Sequence, residues 1–156
     1  MTIRDILTFD DNVLHTKCEK VTTIDYDVLS IIQDLKDTLY AGTGIGLAAP
    51  QIGILKRVIL IDLRQGDEPV IIINPKIISQ SGKEKDCEGC LSYPGYYGVV
   101  ERPKKVTVIG KNINGKKVIY KASGLLARAL CHEIDHLDGI VYTDRTKEVY
   151  VEDGEE

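Results

Sequence analysis

Cys131-His132-Glu133-Ile134-Asp135-His136, set between Ser123 and Gly139, is the stretch on which the fold turns. Ser123 can cap a helix and Gly139 can end one, so the run predicts a helix over about 124–138. On that helix His132 and His136 stand one turn apart, with Cβ atoms about 5–6 Å from each other, and both imidazoles can reach one ion. Leu125 and Ala129 share their face, whereas Leu126, Leu130 and Leu137 form a neighbouring apolar face suited to a core. Packing on that side would hold the imidazoles rigidly. Two histidines leave a catalytic metal site asking for a third ligand, and Glu133 is placed to move protons for water at such a site. The same pattern also arises on ordinary amphipathic helices with histidines at a half-buried edge, so its meaning depends on the rest of the chain.

Upstream, two segments resist a packing explanation. Cys87-Glu88-Gly89-Cys90-Leu91-Ser92-Tyr93-Pro94-Gly95 places a glycine beside a cysteine in a turn, which leaves a thiol and nearby backbone N–H groups accessible and suits a thiolate ligand. Gly42-Thr43-Gly44-Ile45-Gly46-Leu47-Ala48-Ala49-Pro50-Gln51 is a run of small residues whose glycines let something approach the backbone closely. A phosphate loop would need a Lys-Ser/Thr ending that is missing, and a tight structural turn is the plainer alternative. Gln51 offers two donors and an acceptor at the end of this restricted loop.

The remaining elements follow from periodicity. Val28, Ile31, Ile32, Leu35 and Leu39 recur at helical spacing behind Asp25, predicting a helix over about 26–40 whose apolar stripe packs on a sheet. Residues 57–63 and 70–74 are β-branched runs joined by a polar turn around Gln65-Gly66-Asp67. Pro75 is expected to close the second run, and Ile77-Ile78 to start another short strand. Residues 105–109 and 117–120 flank Asn114-Gly115, a hairpin signal, so the sheet is antiparallel there. Residues 3–24 form an arm without a sustained period, in which His15 reads as a surface histidine. A short, frayed acidic tail is expected from about 147.

Composition bounds these readings. The 156 residues suit one domain, 1–156, with a real core. With 43% hydrophobic residues, no Trp and one Phe, that core is mainly aliphatic. The net charge is −4 and no basic block of five or more residues occurs, so the surface reads as solvated and mildly acidic, with no specific nucleic-acid partner, and the apolar runs are too short to span a membrane. Met1 to Phe9 lacks a secretory apolar region, and the four cysteines are expected to stay reduced in a cytoplasmic protein. The fold class is α+β, a single domain of mainly antiparallel sheets around the motif-bearing C-terminal helix.

Taken in order, Gly44-Ile45-Gly46-Leu47-Ala48-Ala49-Pro50-Gln51, Glu88-Gly89-Cys90-Leu91-Ser92 and His132-Glu133-Ile134-Asp135-His136 resemble the three signature motifs of the peptide deformylases, and the similarity extends to about Arg145. The resemblance implies a hydrolase that removes the N-formyl group from N-formylmethionyl nascent peptides in the bacterial cytoplasm, with transient proximity to the ribosome. It implies Cys90, His132 and His136 as ligands of one divalent metal, Fe2+ in the physiological enzyme, with Zn2+, Ni2+ or Co2+ as substitutes. It casts Glu133 as general base and then acid, and Gln51 with the Leu91 N–H as oxyanion donors. Gly46 would hold the substrate backbone, and Ile45, Glu88, Leu125 and Ala129 would lie near a methionine pocket. Arg102 is expected to support the site through an acidic partner such as Asp135 or Glu88.

Three departures stand beside the resemblance. Cys131 occupies a position often held by Gln and reads as a small buried residue. Tyr93 stands where a smaller aliphatic is common, and the chain lacks the long basic C-terminal helix of some members. Two rivals remain open at this point. Cys87 and Cys90 with His132 and His136 could close a structural four-ligand zinc site, and a zincin-type peptidase shares His-Glu-x-x-His but not the other two motifs.

Overall fold

The chain is described by a computed structural model covering residues 2–152. Its centre is an antiparallel sheet of five strands in the order β1-β2-β3-β6-β7, where β1 is Gly46–Ala48, β2 Val58–Ile61, β3 Val70–Ser81, β6 Lys105–Lys111 and β7 Lys117–Ser123. A second antiparallel sheet of three strands, β4-β5-β8, is made of Glu84–Glu88, Tyr96–Arg102 and Val149–Val151. Helix α1 spans Tyr26–Tyr40 and helix α2 spans Gly124–Leu137, close to the ranges that periodicity predicts.

The all-apolar run Val58–Ile61 is buried on both faces, as a strand sandwiched between two helices must be. Val58 and Leu60 face a cluster with Leu35 and Leu39 of α1, and Ile59 and Ile61 face a second cluster with Leu130, Ile134 and Leu137 of α2. Apart from two cysteines, the buried members of both clusters are aliphatic, as the absence of Trp and the single Phe lead one to expect. Cys131, 4% exposed, is one of the small residues that let α2 pack against the sheet. The mixed α and β architecture with antiparallel sheets around the C-terminal helix is the expected one.

Three local expectations need correction. Pro75 does not close a strand: β3 runs on to Ser81, with register shifts between Ile73 and Lys76 and between Ile77 and Ser79. A bulge tolerates a residue that lacks an N–H. Asn74 there takes φ 56°, and its side-chain amide pairs with both backbone groups of Val21 at 2.8 Å, tying down the N-terminal arm. Ser123 occupies the N-cap of α2, but its side chain makes no capping hydrogen bond, whereas Asp25 does cap α1 through Val28 N at 3.1 Å. The C-terminal residues are not all a frayed tail: Val149–Val151 pairs with β5 in the register Gly98↔Val149, Tyr97↔Tyr150 and Tyr96↔Val151. Alternating Val and Tyr supplies the strand propensity, and the Tyr97 and Tyr150 rings lie 5.4 Å apart. The rest of the expected tail, 153–156, lies outside the described residues.

Candidate metal centre

Helix α2 lies between the two sheets and presents its histidine face to a cleft of about 540 Å³. Every residue expected to bind the metal, the substrate or the oxyanion lines this cleft except His136, which is 1% exposed beneath it. The small-residue run supplies one wall: Gly46–Ala48 forms the edge strand β1, and Ala49–Ile52 forms a 3-10 turn closed by Gly53 in the left-handed region. That turn places Gln51 over the floor of the cleft. The opposite wall is the turn after β4, carrying Cys90 and Leu91.

Side-chain ligand atoms of Cys90, His132 and His136 all lie within 4.8 Å of one another. Cys90 Sγ is 3.4 Å from His136 Nε2. His132 Nδ1 lies 2.9 Å from Glu88 Oε1, and donating to that carboxylate leaves the Nε2 lone pair free to bind a metal. One soft thiolate and two imidazoles in a closed floor with an open side form a donor set that fits a divalent transition ion with a position to spare. Cys87 is exposed at the rim and belongs to no such group among the described residues, so the closed four-ligand site gains no support.

A buried ionic lattice fixes this floor. Arg102 donates through Nε and Nη2 to Glu88 at 2.8 and 2.9 Å and through Nη1 to Asp135, so it uses both acidic partners that the sequence offered. Arg128 donates to Glu88 Oε2 at 2.7 Å and to the carbonyls of Val100 and Glu84, and Arg145 grips Asp135 from the outside. Burial alone would push the Glu88 carboxyl up, but hydrogen bonds from Arg102 and His132 and their charges hold it well below the usual carboxylate range. Glu88 therefore remains an anion that accepts from His132.

Glu133 has the opposite environment. It is 4% exposed, its Oε1 has no hydrogen-bond partner, and burial, with the Glu88 charge adding, pushes its pKa up to about 7. A carboxyl poised there can both take and return a proton near neutral pH. Gly46 makes room for it: a Cβ at that position would lie 2.5 Å from Glu133 Oε2. Gln51 accepts from Ala48 N at 2.9 Å, which fixes its amide so that Nε2 faces Ser92 Oγ at 3.1 Å and, more loosely, Cys90 Sγ at 3.6 Å.

Arg128 and Arg145 lie outside the three motifs, and Ser92, although it closes the second one, is given no role by it. Arg128 had one visible signal: it is a charge four residues before His132 on a helix otherwise apolar up to the histidine. Ser92 and Arg145 act only through partners distant in sequence.

A polypeptide deformylase profile matches residues 3–151. The chain belongs to the polypeptide deformylase family. It is 53% identical to a peptide deformylase of Natranaerobius thermophilus over 98% of both chains. It is 52% identical to one of Alkaliphilus metalliredigens, covering 93% of this chain and 97% of that one. Among solved structures, the peptide deformylase of Thermotoga maritima superposes with a TM-score of 0.90 at 36% identity, covering 94% of this chain and 99% of that chain. The Synechococcus elongatus enzyme in complex with actinonin gives 0.88 at 43% identity, covering 93% and 79%. Membership of this family makes the chain a metal-dependent hydrolase of mixed α and β fold.

Proposed function

We infer that this polypeptide deformylase removes the formyl group from N-formylmethionine at the head of nascent polypeptides and releases formate. The observation that carries the reading is the convergence of Cys90, His132 and His136 beneath Glu133 and Gln51 in one cleft. Those three residues would hold the divalent ion. Such an ion supplies Lewis-acid polarisation and lowers the pKa of water toward neutrality.

Glu133 acts as the base that takes the proton from attacking water and, as the C–N bond breaks, as the acid that passes it to the departing amine. Its elevated pKa suits both halves of that exchange. Negative charge gathers on the formyl oxygen and is met by Gln51 Nε2–H, turned from its long sulfur contact, and by the Leu91 N–H, which has no acceptor among the described residues. Gly46 on the edge strand β1 holds the substrate backbone, and Ile45, just before that strand, lines with Leu125 and Ala129 a pocket for the unbranched methionine side chain, with Glu88 behind it. The ligand set accepts Fe2+ as the physiological ion and also Zn2+, Ni2+ or Co2+, and affinity order alone favours zinc over iron. We place the enzyme in the bacterial cytoplasm, near the ribosome that delivers its substrate, with the whole chain 1–156 as one catalytic domain.

Formate release from formyl-Met-Ala-Ser, with metal content measured on the same anaerobic sample, tests this. Formate with about one ion per chain is expected. Cleavage of a peptide bond without formate would make the chain a zincin-type peptidase instead, and equal, lasting activity after air exposure would count against iron.

A further inference from the structure

Outside the cleft, the charge of this molecule is strongly segregated. Residues 103–132 contain six lysines and one arginine and not one Asp or Glu, although the whole chain carries −4. β3, β6, β7 and the turn joining the last two contain no acidic residue at all. The pairing register gathers their lysines on one face. Lys105 is opposite Ser123, Thr107 opposite Lys121 and Lys111 opposite Lys117, and on the other flank Lys76 pairs with Ile109. Lys76, Lys105, Lys111, Lys117 and Lys121 are all exposed, while the intervening Val106, Val108 and Ala122 point into the core.

In one of these pairs, Lys111 with Lys117, like charges stand directly opposite each other, about 5 Å apart at Cα, which is unfavourable without a counter-charge. Among the described residues none of these five lysines is ion-paired. Between them lies a shallow depression of about 330 Å³ lined by the hydroxyls of Ser79, Ser81, Thr107 and Ser123 together with Lys105 and Lys121. Hydroxyls and ammonium groups, without carboxylates, are the donors that contact phosphate oxygens.

We propose that this outer sheet face docks the sugar-phosphate backbone of RNA, read for charge and not for sequence. The choice of RNA over another polyanion rests on the function inferred above, whose substrate is presented by a particle with an RNA-rich surface. The charge argument itself does not depend on that function. The depression and the cleft share no lining residue, and the lysines of this face lie outside the cleft lining, so docking on the strands leaves the cleft open to a peptide.

Binding of a short labelled RNA duplex to the metal-loaded protein, followed between 50 and 200 mM salt, tests the assignment. Lys111→Gln, Lys117→Gln and Lys121→Gln combined should weaken binding at least tenfold at the low-salt end and flatten the slope of log K against log salt by about 2–3. Formate release from formyl-Met-Ala-Ser by that variant should match the parent. A control with Lys17→Gln, Lys20→Gln and Lys147→Gln changes net charge equally and should leave RNA binding intact. Equal weakening by both triple variants would reduce the effect to net charge and overturn the proposal. So would an unmodified protein that binds anionic phospholipid vesicles but not RNA. Absence of formate release with RNA binding that is lost only in the sheet variant would sink the deformylase reading and leave the docking face standing.

Discussion

At the scale of single residues, neighbouring carboxylates on one site are driven to opposite roles by their surroundings. Glu88 is gripped by Arg102 and Arg128 and stays ionised, whereas Glu133, one helix residue past His132, is desolvated and titrates near neutrality. Glu133→Ala should retain the metal, since it removes no ligand, and lose about 10²–10⁴-fold in turnover. Metal content and formate release measured together check this. Gly46→Ala should act on the same group from across the cleft, because its Cβ would lie 2.5 Å from Glu133 Oε2. Displacing that carboxylate by about 1 Å is expected to cost on the order of 10²-fold in kcat/KM with little change in thermal stability. Glu88→Ala is predicted to be worse for the protein than for the chemistry. It leaves the buried Arg128 without a carboxylate and Arg102 with Asp135 alone, costing about 3–5 kcal/mol in denaturant unfolding, and loosens His132 enough to lower metal affinity about 10–100-fold. Cys90, Gln51, Glu133 and the histidines were legible in sequence because each sits in a short motif. The parts played by Arg128, outside the motifs, and by Ser92, inside one but given no role there, were not legible, because their partners, Glu88 and Gln51, lie 40 and 41 residues away and only folding brings them together.

The two helices differ in how they begin, and the difference can be measured. Asp25 Oδ1 accepts from Val28 N, so Asp25→Ala should destabilise the fold by about 1 kcal/mol. Ser123 occupies the same cap position on α2 without a side-chain bond, so Ser123→Ala should change stability by no more than about 0.5 kcal/mol. Urea midpoints of the two variants settle the comparison, and equal losses would contradict the geometry. Both helices were readable from 3.6-residue periodicity, and the β6–β7 hairpin from Asn114-Gly115. The passage of β3 through Pro75 was not readable, because the bulge that accommodates the proline is held by Asn74 reaching to Val21, 53 residues away. A lysine-rich sheet face was equally hidden: its charges alternate along strands that adjoin only after pairing, so no basic block appears in the linear chain.

At the scale of the molecule, the metal ligands come from two parts of the fold, the loop after the small sheet's first strand and the helix α2. Cys90 follows β4 of the small sheet, while His132 and His136 belong to the helix packed on the large one. A bound ion would therefore stitch the small sheet to the rest of the fold. The stitch is not the only one, since Glu88 at the end of β4 and Arg102 on β5 already tie the small sheet to Arg128, His132 and Asp135 of α2. Chelation should consequently leave a folded apoprotein whose secondary structure by circular dichroism is unchanged, but with a lower Tm. At a free metal concentration a hundredfold above Kd, binding to the native state contributes about 2.7 kcal/mol, which for a chain of this length corresponds to about 5–10 °C. Calorimetry of the loaded and chelated protein measures that gap. If Cys90→Ser, with its weakened ligand, gives a Tm near the chelated value while Cys87→Ser keeps that of the loaded protein, the stitch runs through Cys90. An unfolded chelated chain would instead mean that the Glu88–Arg102 lattice cannot hold the two parts together without the ion.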